Sequence, residues 1–111
     1  MPARELHWIP RFLARYQALH RDAFASLKSD ENKPMQRLHR VGETLVILRD
    51  CPGPPESDAR LDTRPYLTIS SRPVVERSAY GSRVRSEPAD YRVVWRRGRE
   101  NVTDIELVDL V

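Results

Sequence analysis

Apolar residues recur at helical spacing near the start of the chain. Pro10 suits the first turn of a helix, because the N–H that it lacks would have no partner there. The apolar positions after it form one stripe: Phe12, Leu13, Tyr16, Leu19, Ala23 and Leu27. A stripe with a period of about 3.6 residues is typical of an amphipathic helix that packs on a core. The pattern predicts a helix from Pro10 to about Leu27, after a lead-in segment over residues 1–9.

The middle third of the chain lacks this spacing. Residues 43–49 form a continuous apolar run with β-branched residues, which predicts a strand buried on both faces, after a short helical turn over residues 35–40. Three prolines and a glycine within residues 50–58 predict a flexible, exposed loop without regular structure. A second strand is predicted over residues 65–70, and residues 73–80 are predicted to form a third strand or a bent connection.

The last third of the chain alternates with the period of a β-hairpin. One face of the two strands is predicted to carry Tyr91, Val93 and Trp95 on the way out and Thr103, Ile105 and Leu107 on the way back. Gly98 and Asn101 are expected in the turn, because both residue types tolerate a positive φ. Opposite charges on the two strands favour the pairing: Arg92, Arg96 and Arg97 against Asp104, Glu106 and Asp109. A preceding strand is expected to begin at 83–85.

The order of these elements predicts the fold class. A helix that precedes a series of strands with short connections is typical of an α+β domain. We therefore expect residues 1–111 to form a single domain, with the long N-terminal helix packed on a curled, mostly antiparallel sheet of four or five strands. Trp95 should be buried against the helix stripe, and Arg96 should point the other way.

Composition narrows the possible functions. The chain of 111 residues carries a net charge of +3, and its only lysines are Lys28 and Lys33, so the other 17 of its 19 basic residues are arginines. Arginine offers phosphates and carboxylates a fixed fork of donors. The single cysteine, Cys51, excludes an intramolecular disulfide and a cysteine-rich zinc site. The absence of a signal-peptide pattern or a long apolar run predicts a cytoplasmic protein without a membrane span.

The residue types that carry catalysis are sparse. His20 and Asp22 are two residues apart on the predicted helix, so they lie on different faces and are not expected to act as a pair. His7 and His39 flank that helix, but spacing places no carboxylate near them to complete a metal site. The four glycines form no phosphate-binding loop. We expect no cofactor, no metal and no catalytic residue, although the sequence leaves open whether the protein is an enzyme.

Two functional hypotheses follow from the residues. The first is a non-enzymatic binding module that holds a small apolar ligand or a protein partner, including a second copy of the chain. Its pocket would lie between helix and sheet and be lined by Phe12, Tyr16, Tyr66 and Trp95. The alternative is a basic nucleic-acid-binding protein with an anion site on the hairpin, formed by Arg83, Arg85, Arg92 and Arg96. Acidic residues of the return strand could instead neutralise these arginines.

The hairpin also resembles two families. Residues 90–111 resemble the closing hairpin of MlaC-type lipid-binding proteins and, more broadly, of nuclear-transport-factor-like cone folds, which implies a curled sheet with a pocket between sheet and helices. Arg83-Val84-Arg85 followed by residues 90–95 resembles the Arg-x-Arg and Asp-Tyr-Arg strand pair of RelE-type toxins. The second resemblance implies a small basic ribonuclease in which Arg85 and Arg92 contact RNA. Toxins of this type begin with a strand, which the sequence pattern does not show here.

Overall fold

The computed structural model describes residues 4–29, 32–66 and 79–111. Its regular elements are β1 (Leu6–Trp8), α1 (Pro10–Ala25), α2 (Lys33–Asp50), β2 (Arg64–Pro65), β3 (Tyr80–Arg83), β4 (Arg92–Arg97) and β5 (Ile105–Leu110). Short 3-10 turns cover Ser26–Lys28, Pro55–Ser57 and Ala59–Leu61. Within the described ranges there are thus two α-helices and a five-stranded sheet, which confirms the predicted α+β class.

The last strand of the chain lies inside the sheet. The strand order is β1-β5-β4-β3-β2, with β1 parallel to β5 and all other neighbours antiparallel. The sheet is mostly antiparallel, as predicted, but it is not curled. Because β5 has a neighbour on each side, its backbone groups are paired along both edges.

The lead-in segment contains a strand that the sequence did not reveal. The amide of Ile105 donates to the Glu5 carbonyl oxygen and the amide of Ile9 donates to the Leu107 carbonyl oxygen, each at 3.0 Å. Between these bonds, Leu6 lies beside Ile105 and Trp8 beside Leu107. Three residues are too few to show a period of two, so β1 is visible only through its partner at the other end of the chain.

The predicted strand over residues 43–49 is wrong, because these residues form the second half of α2. Val41, Leu45 and Leu48 are buried at helical spacing, whereas Val46 inside the apolar run is exposed. The Thr44 hydroxyl donates to the Arg40 carbonyl oxygen at 2.9 Å, one helical turn back. Tertiary packing of one face thus overrides the strand preference of the β-branched residues. Pro34 belongs to the first turn of this helix.

Both helices pack on one face of the sheet. The buried cluster contains Phe12 from α1, three residues of α2, Leu61, Val84 directly after β3, and the inward side chains of β4 and β5: Val93, Trp95, Ile105, Leu107 and Leu110. Trp95 has no exposed surface, as predicted, and its indole N–H donates to the Ser82 hydroxyl at 2.8 Å. A second, smaller cluster joins Ala79, Val94 and Val108. The predicted stripe is only partly buried, since Leu13 and Leu27 are exposed.

The predicted hairpin is present, and a bulge changes its alternation. Val94 pairs with Asp109 and Trp95 with Leu107, so Val108 is the extra residue. A bulge shifts the side chains beyond it to the opposite face. This shift explains why Leu110 joins the same buried cluster as Leu107 although the two are three residues apart. The return strand begins at Ile105, two residues later than the predicted Thr103.

The turn of the hairpin does not use a positive φ at Gly98 or Asn101. The described residues with positive φ are Asp62 and Ser86. Glycine is needed at position 98 for space, because a Cβ there would lie 2.6 Å from the Asn101 carbonyl oxygen. The Asn101 side chain accepts hydrogen bonds from the amide and the hydroxyl of Thr103.

The proline-rich segment contains buried residues and a short 3-10 turn. Cys51 and Pro55 are buried, and Pro55–Ser57 forms a 3-10 turn. The Arg4 guanidinium donates to the carbonyl oxygens of Cys51 at 2.7 Å and Gly53 at 2.6 Å. Of the strand predicted over 65–70, the structure describes Pro65, which lies in β2, and Tyr66, whose amide donates to the Ala79 carbonyl oxygen at 2.9 Å. The prediction for 73–80 lies outside the described residues except at Ala79 and Tyr80, and β3 begins at Tyr80. No helix in the described ranges is long and apolar enough to cross a lipid bilayer.

Trp95→Ala should unfold the protein or nearly so. Replacing a buried tryptophan by alanine costs about 3–5 kcal/mol, which is comparable to the roughly 5–15 kcal/mol that stabilises a small domain. Val102→Ala is the matched control, because Val102 is 69% exposed and its truncation should change the free energy of unfolding by less than about 0.5 kcal/mol. Denaturant melts of both variants measure the difference, and equal stabilities would contradict the burial of Trp95.

Arg96 is not a suitable control for this experiment. It lies on the other face of β4, as predicted, but its Nε donates to Glu106 Oε1 at 2.7 Å, and both side chains are only 17% exposed. Removing Arg96 would leave a partly buried carboxylate without its partner.

Candidate functional site

The four residues predicted to line an apolar pocket do not lie together. Phe12 and Trp95 are fully buried in the main cluster, and Tyr16 packs at its edge. Tyr66 packs against the second cluster, which includes Val94. Phe12 and Trp95 therefore have no surface to offer a ligand.

The four predicted anion-binding arginines divide into two pairs. Arg92 is 16% exposed, donates to the Asp62 carbonyl oxygen at 2.9 Å and to the Gly81 carbonyl oxygen at 3.0 Å, and so connects three segments of the fold. Arg96 is bound by Glu106. Arg83 and Arg85 are exposed. Arg83 Nη2 donates to the Glu87 carbonyl oxygen at 3.5 Å, so Arg85 is the one member of the predicted patch without a polar side-chain contact among the described residues.

Two further arginines hold a buried carboxylate. Arg37 Nε donates to Glu87 Oε1, and Arg40 Nη1 donates to Glu87 Oε2 at 2.6 Å. Burial alone would raise the pKa of Glu87, but the hydrogen bonds from Arg37 and Arg40 outweigh it and hold that pKa below its usual range. The Arg37 guanidinium also lies 4.1 Å from the centre of the Tyr91 ring. This clamp fastens α2 to the turn between β3 and β4.

A groove on the outer side of α2 gathers the chemically versatile residues of the chain. It has a volume of about 660 Å³ and is lined by Tyr16, Leu38, His39, Gly42, Glu43, Val46, Ile47, Arg60 and Arg85. We call it the α2 groove. Gly42 lies in its wall, and a Cβ added there would meet no atom within 4 Å. A side chain at position 42 would therefore extend into open space at the groove.

The charges of the α2 groove differ in how firmly they are held. Arg60 Nη2 lies 2.7 Å from Asp58 Oδ2, and the hydrogen bond from Arg60 lowers the pKa of Asp58. Arg85 makes no ion pair with any residue of the described ranges. It can therefore donate its full fork to an anion.

The groove also contains groups that can transfer protons. His39 and Glu43 lie one helical turn apart on α2, so both side chains can reach the same bound molecule. Imidazole and carboxylate are the side chains most used as general acids and bases. The arrangement can bind an anion through Arg85 and move protons beside it.

Sequence reasoning missed His39, Glu43 and Arg60 as partners of Arg85. The signal was the spacing of four between His39 and Glu43, which places two side chains on one face of a helix. This spacing was not recognised as helical, because the predicted helical turn ended at Arg40 and a strand was predicted from Glu43. One continuous helix over both residues would have indicated the pair.

Comparisons with known proteins identify no relative. No family model, no curated protein and no solved structure matches the chain.

Proposed function

We propose that this protein binds RNA in the α2 groove. The observation that carries the proposal is Arg85, an exposed arginine with no ion pair in the described part of the chain, placed in a groove that also holds His39 and Tyr16. A guanidinium recognises a phosphate by two parallel hydrogen bonds. Tyr16 lines the same groove and is partly exposed, so an unpaired base could contact its ring.

The strand arrangement supports the resemblance to RelE-type toxins. That resemblance implies an initial strand, and β1 occupies this place in the chain. The Arg-x-Arg sequence at 83–85 begins at the last residue of β3, and the Asp-Tyr-Arg sequence leads into β4, which pairs with β3. By contrast, an uncurled sheet and a filled core are unlike the cone folds that the same hairpin resembles.

The roles implied for the two arginines are revised by their contacts. Arg85 keeps the role of an RNA contact. Arg92 is bound to Asp62 and to the Gly81 carbonyl oxygen, so it positions β4 instead of a ligand. RNA binding would therefore depend chiefly on Arg85, because the exposed Arg60 is already paired with Asp58.

The ribonuclease activity that the resemblance implies has candidate groups in the same groove. One of His39 and Glu43 would take the proton of a ribose 2′-hydroxyl, whose oxygen would attack the adjacent phosphorus. Arg85 would stabilise the negative charge that develops on the phosphate oxygens. Whichever of His39 and Glu43 does not act as the base would give a proton to the departing 5′-oxygen. The products would be a 2′,3′-cyclic phosphate and a 5′-hydroxyl.

A protein partner is the second candidate function. The exposed surface around α1 includes Trp8, Leu13, Phe24 and Leu27, which are large apolar residues in contact with water. Such residues are common in interfaces. The version with a small apolar ligand between helix and sheet has less support, because Phe12 and Trp95 are fully buried.

RNA binding should weaken when Arg85 is replaced. For a short single-stranded RNA at low salt, Arg85→Ala should raise the dissociation constant by about 10- to 150-fold, because a charge-assisted contact to phosphate is worth roughly 1.5–3 kcal/mol. The slope of log K against log salt should also become less steep by about 0.7, the value for one phosphate contact on a single strand. Fluorescence anisotropy over a salt series measures both quantities.

Arg11→Ala is the matched control for this experiment. Arg11 is also an exposed arginine, but it lies on α1 and outside the α2 groove. Its loss should leave both the affinity and the salt slope near the wild-type values. Equal effects of the two substitutions, or no RNA binding by the wild type, would overturn the proposed function.

Cleavage should depend on His39 and on the ribose 2′-hydroxyl. His39→Ala should slow cleavage of RNA by about 100-fold or more, the low end of what a general acid or base contributes, while RNA binding changes little. His20→Ala, which removes an exposed histidine from α1, should cleave like the wild type. Denaturing gels of RNA and of the same sequence with 2′-deoxyribose report the products. Cleavage of both substrates, or full activity of His39→Ala, would contradict the assignment.

A further inference from the structure

Three potential metal ligands meet where the two ends of the chain pair. The ligand atoms of Glu5, His7 and Asp104 all lie within 4.8 Å of one another. His7 Nε2 is 3.4 Å from Asp104 Oδ2 and 3.8 Å from Glu5 Oε2. The three residues lie outside the α2 groove. We propose that Glu5, His7 and Asp104 bind a divalent transition-metal ion, with Zn²⁺ as the best match.

The backbone places these ligands together. Glu5 and His7 are two residues apart on extended chain, so their side chains lie on the same face. The Ile105 amide donates to the Glu5 carbonyl oxygen at 3.0 Å, which brings the residue before β5 next to the start of β1. Parallel pairing of β1 with β5 therefore joins ligands that are 97 and 99 positions apart in the sequence.

The Asp104 carboxylate is already oriented. Its Oδ1 accepts a hydrogen bond from the Glu5 amide at 3.3 Å, which leaves Oδ2 toward His7. Hydrogen bonds from neighbouring groups to the ligand residues orient the ligand atoms of metal sites. Glu106, the residue beside His7 on β5, is bound by Arg96 and does not join the cluster.

The distances suit a small ion. Zinc lies about 2.0–2.2 Å from imidazole nitrogen and carboxylate oxygen, so two ligands of a tetrahedral site are about 3.3 Å apart. His7 Nε2 and Asp104 Oδ2 are 3.4 Å apart, which is close to this distance. The Glu5 side chain is exposed, so a small rotation brings its oxygen closer. One imidazole and two carboxylates favour Zn²⁺ and related ions over Ca²⁺, which prefers six to eight oxygens.

Isothermal titration of the whole chain with ZnCl₂ tests the proposal. We expect one ion per chain, and His7→Ala and Asp104→Asn should each weaken binding by about 10-fold or more. His20→Ala is the matched control, because it removes another exposed histidine and should leave the affinity unchanged. Circular dichroism of the metal-free variants verifies that each one is folded.

Thermal melting gives a second readout that surface adsorption would not produce. An ion that binds only the folded chain stabilises it, and at 100 times the dissociation constant the melting temperature should rise by about 10 °C or more. Asp104→Asn should lose this rise even where it remains folded. Absence of saturable binding, or equal affinity for the wild type and His7→Ala, would overturn the proposal and leave the cluster as an ion pair.

Discussion

The structure depends on the parallel pairing of its first strand with its last. β5 lies between β1 and β4, so the final residues of the chain form an interior strand and not an edge. This position buries Ile105, Leu107 and Leu110 against the helices. It also requires the two ends of the chain to meet before the sheet is complete. Such long-range contacts close a large loop, which costs conformational entropy that the buried side chains must offset.

Several of the chain's arginines connect parts of this architecture. Arg4 fastens the proline-rich segment, Arg37 and Arg40 hold Glu87, and Arg92 joins β4 to Asp62 and the Gly81 carbonyl oxygen. Each of these guanidinium groups satisfies carbonyl or carboxylate oxygens that would otherwise be costly to bury. These four arginines are therefore occupied by contacts within the fold. Arg85 differs from the structural arginines, which is why the proposed RNA contact rests on it.

The hydrophobic pattern of the sequence correctly predicted those elements whose own residues show a clear period. The stripe on α1 and the alternation through β4 were sufficient because each spans several residues with one side of the element buried. β1 is too short to show a pattern, and its existence depends on Ile105 at the far end of the chain. The apolar run from Leu45 to Leu48 looked like a strand because local propensity cannot show the helix neighbours that bury one face of α2.

The site was harder to predict for the same reason. Arg85 was identified by its type and by its place near the hairpin, but the groove around it comes from α1, α2 and the turn before β2. The spacing of His39 and Glu43 acquires meaning only within one continuous helix. Arg92 and Arg96 have the same residue type as Arg85, and only their contacts with Asp62 and Glu106 show that they are structural.

Hydrogen exchange of two backbone amides tests the central feature most directly. The amides of Ile9 and Ile105 donate across the β1–β5 boundary, to the carbonyl oxygens of Leu107 and Glu5. If β1 is part of the folded sheet, both amides should exchange as slowly as those that join β4 to β5, because they open only with the sheet. Exchange of Ile9 and Ile105 at the rate of an unstructured peptide, with the β4–β5 amides still protected, would contradict the account.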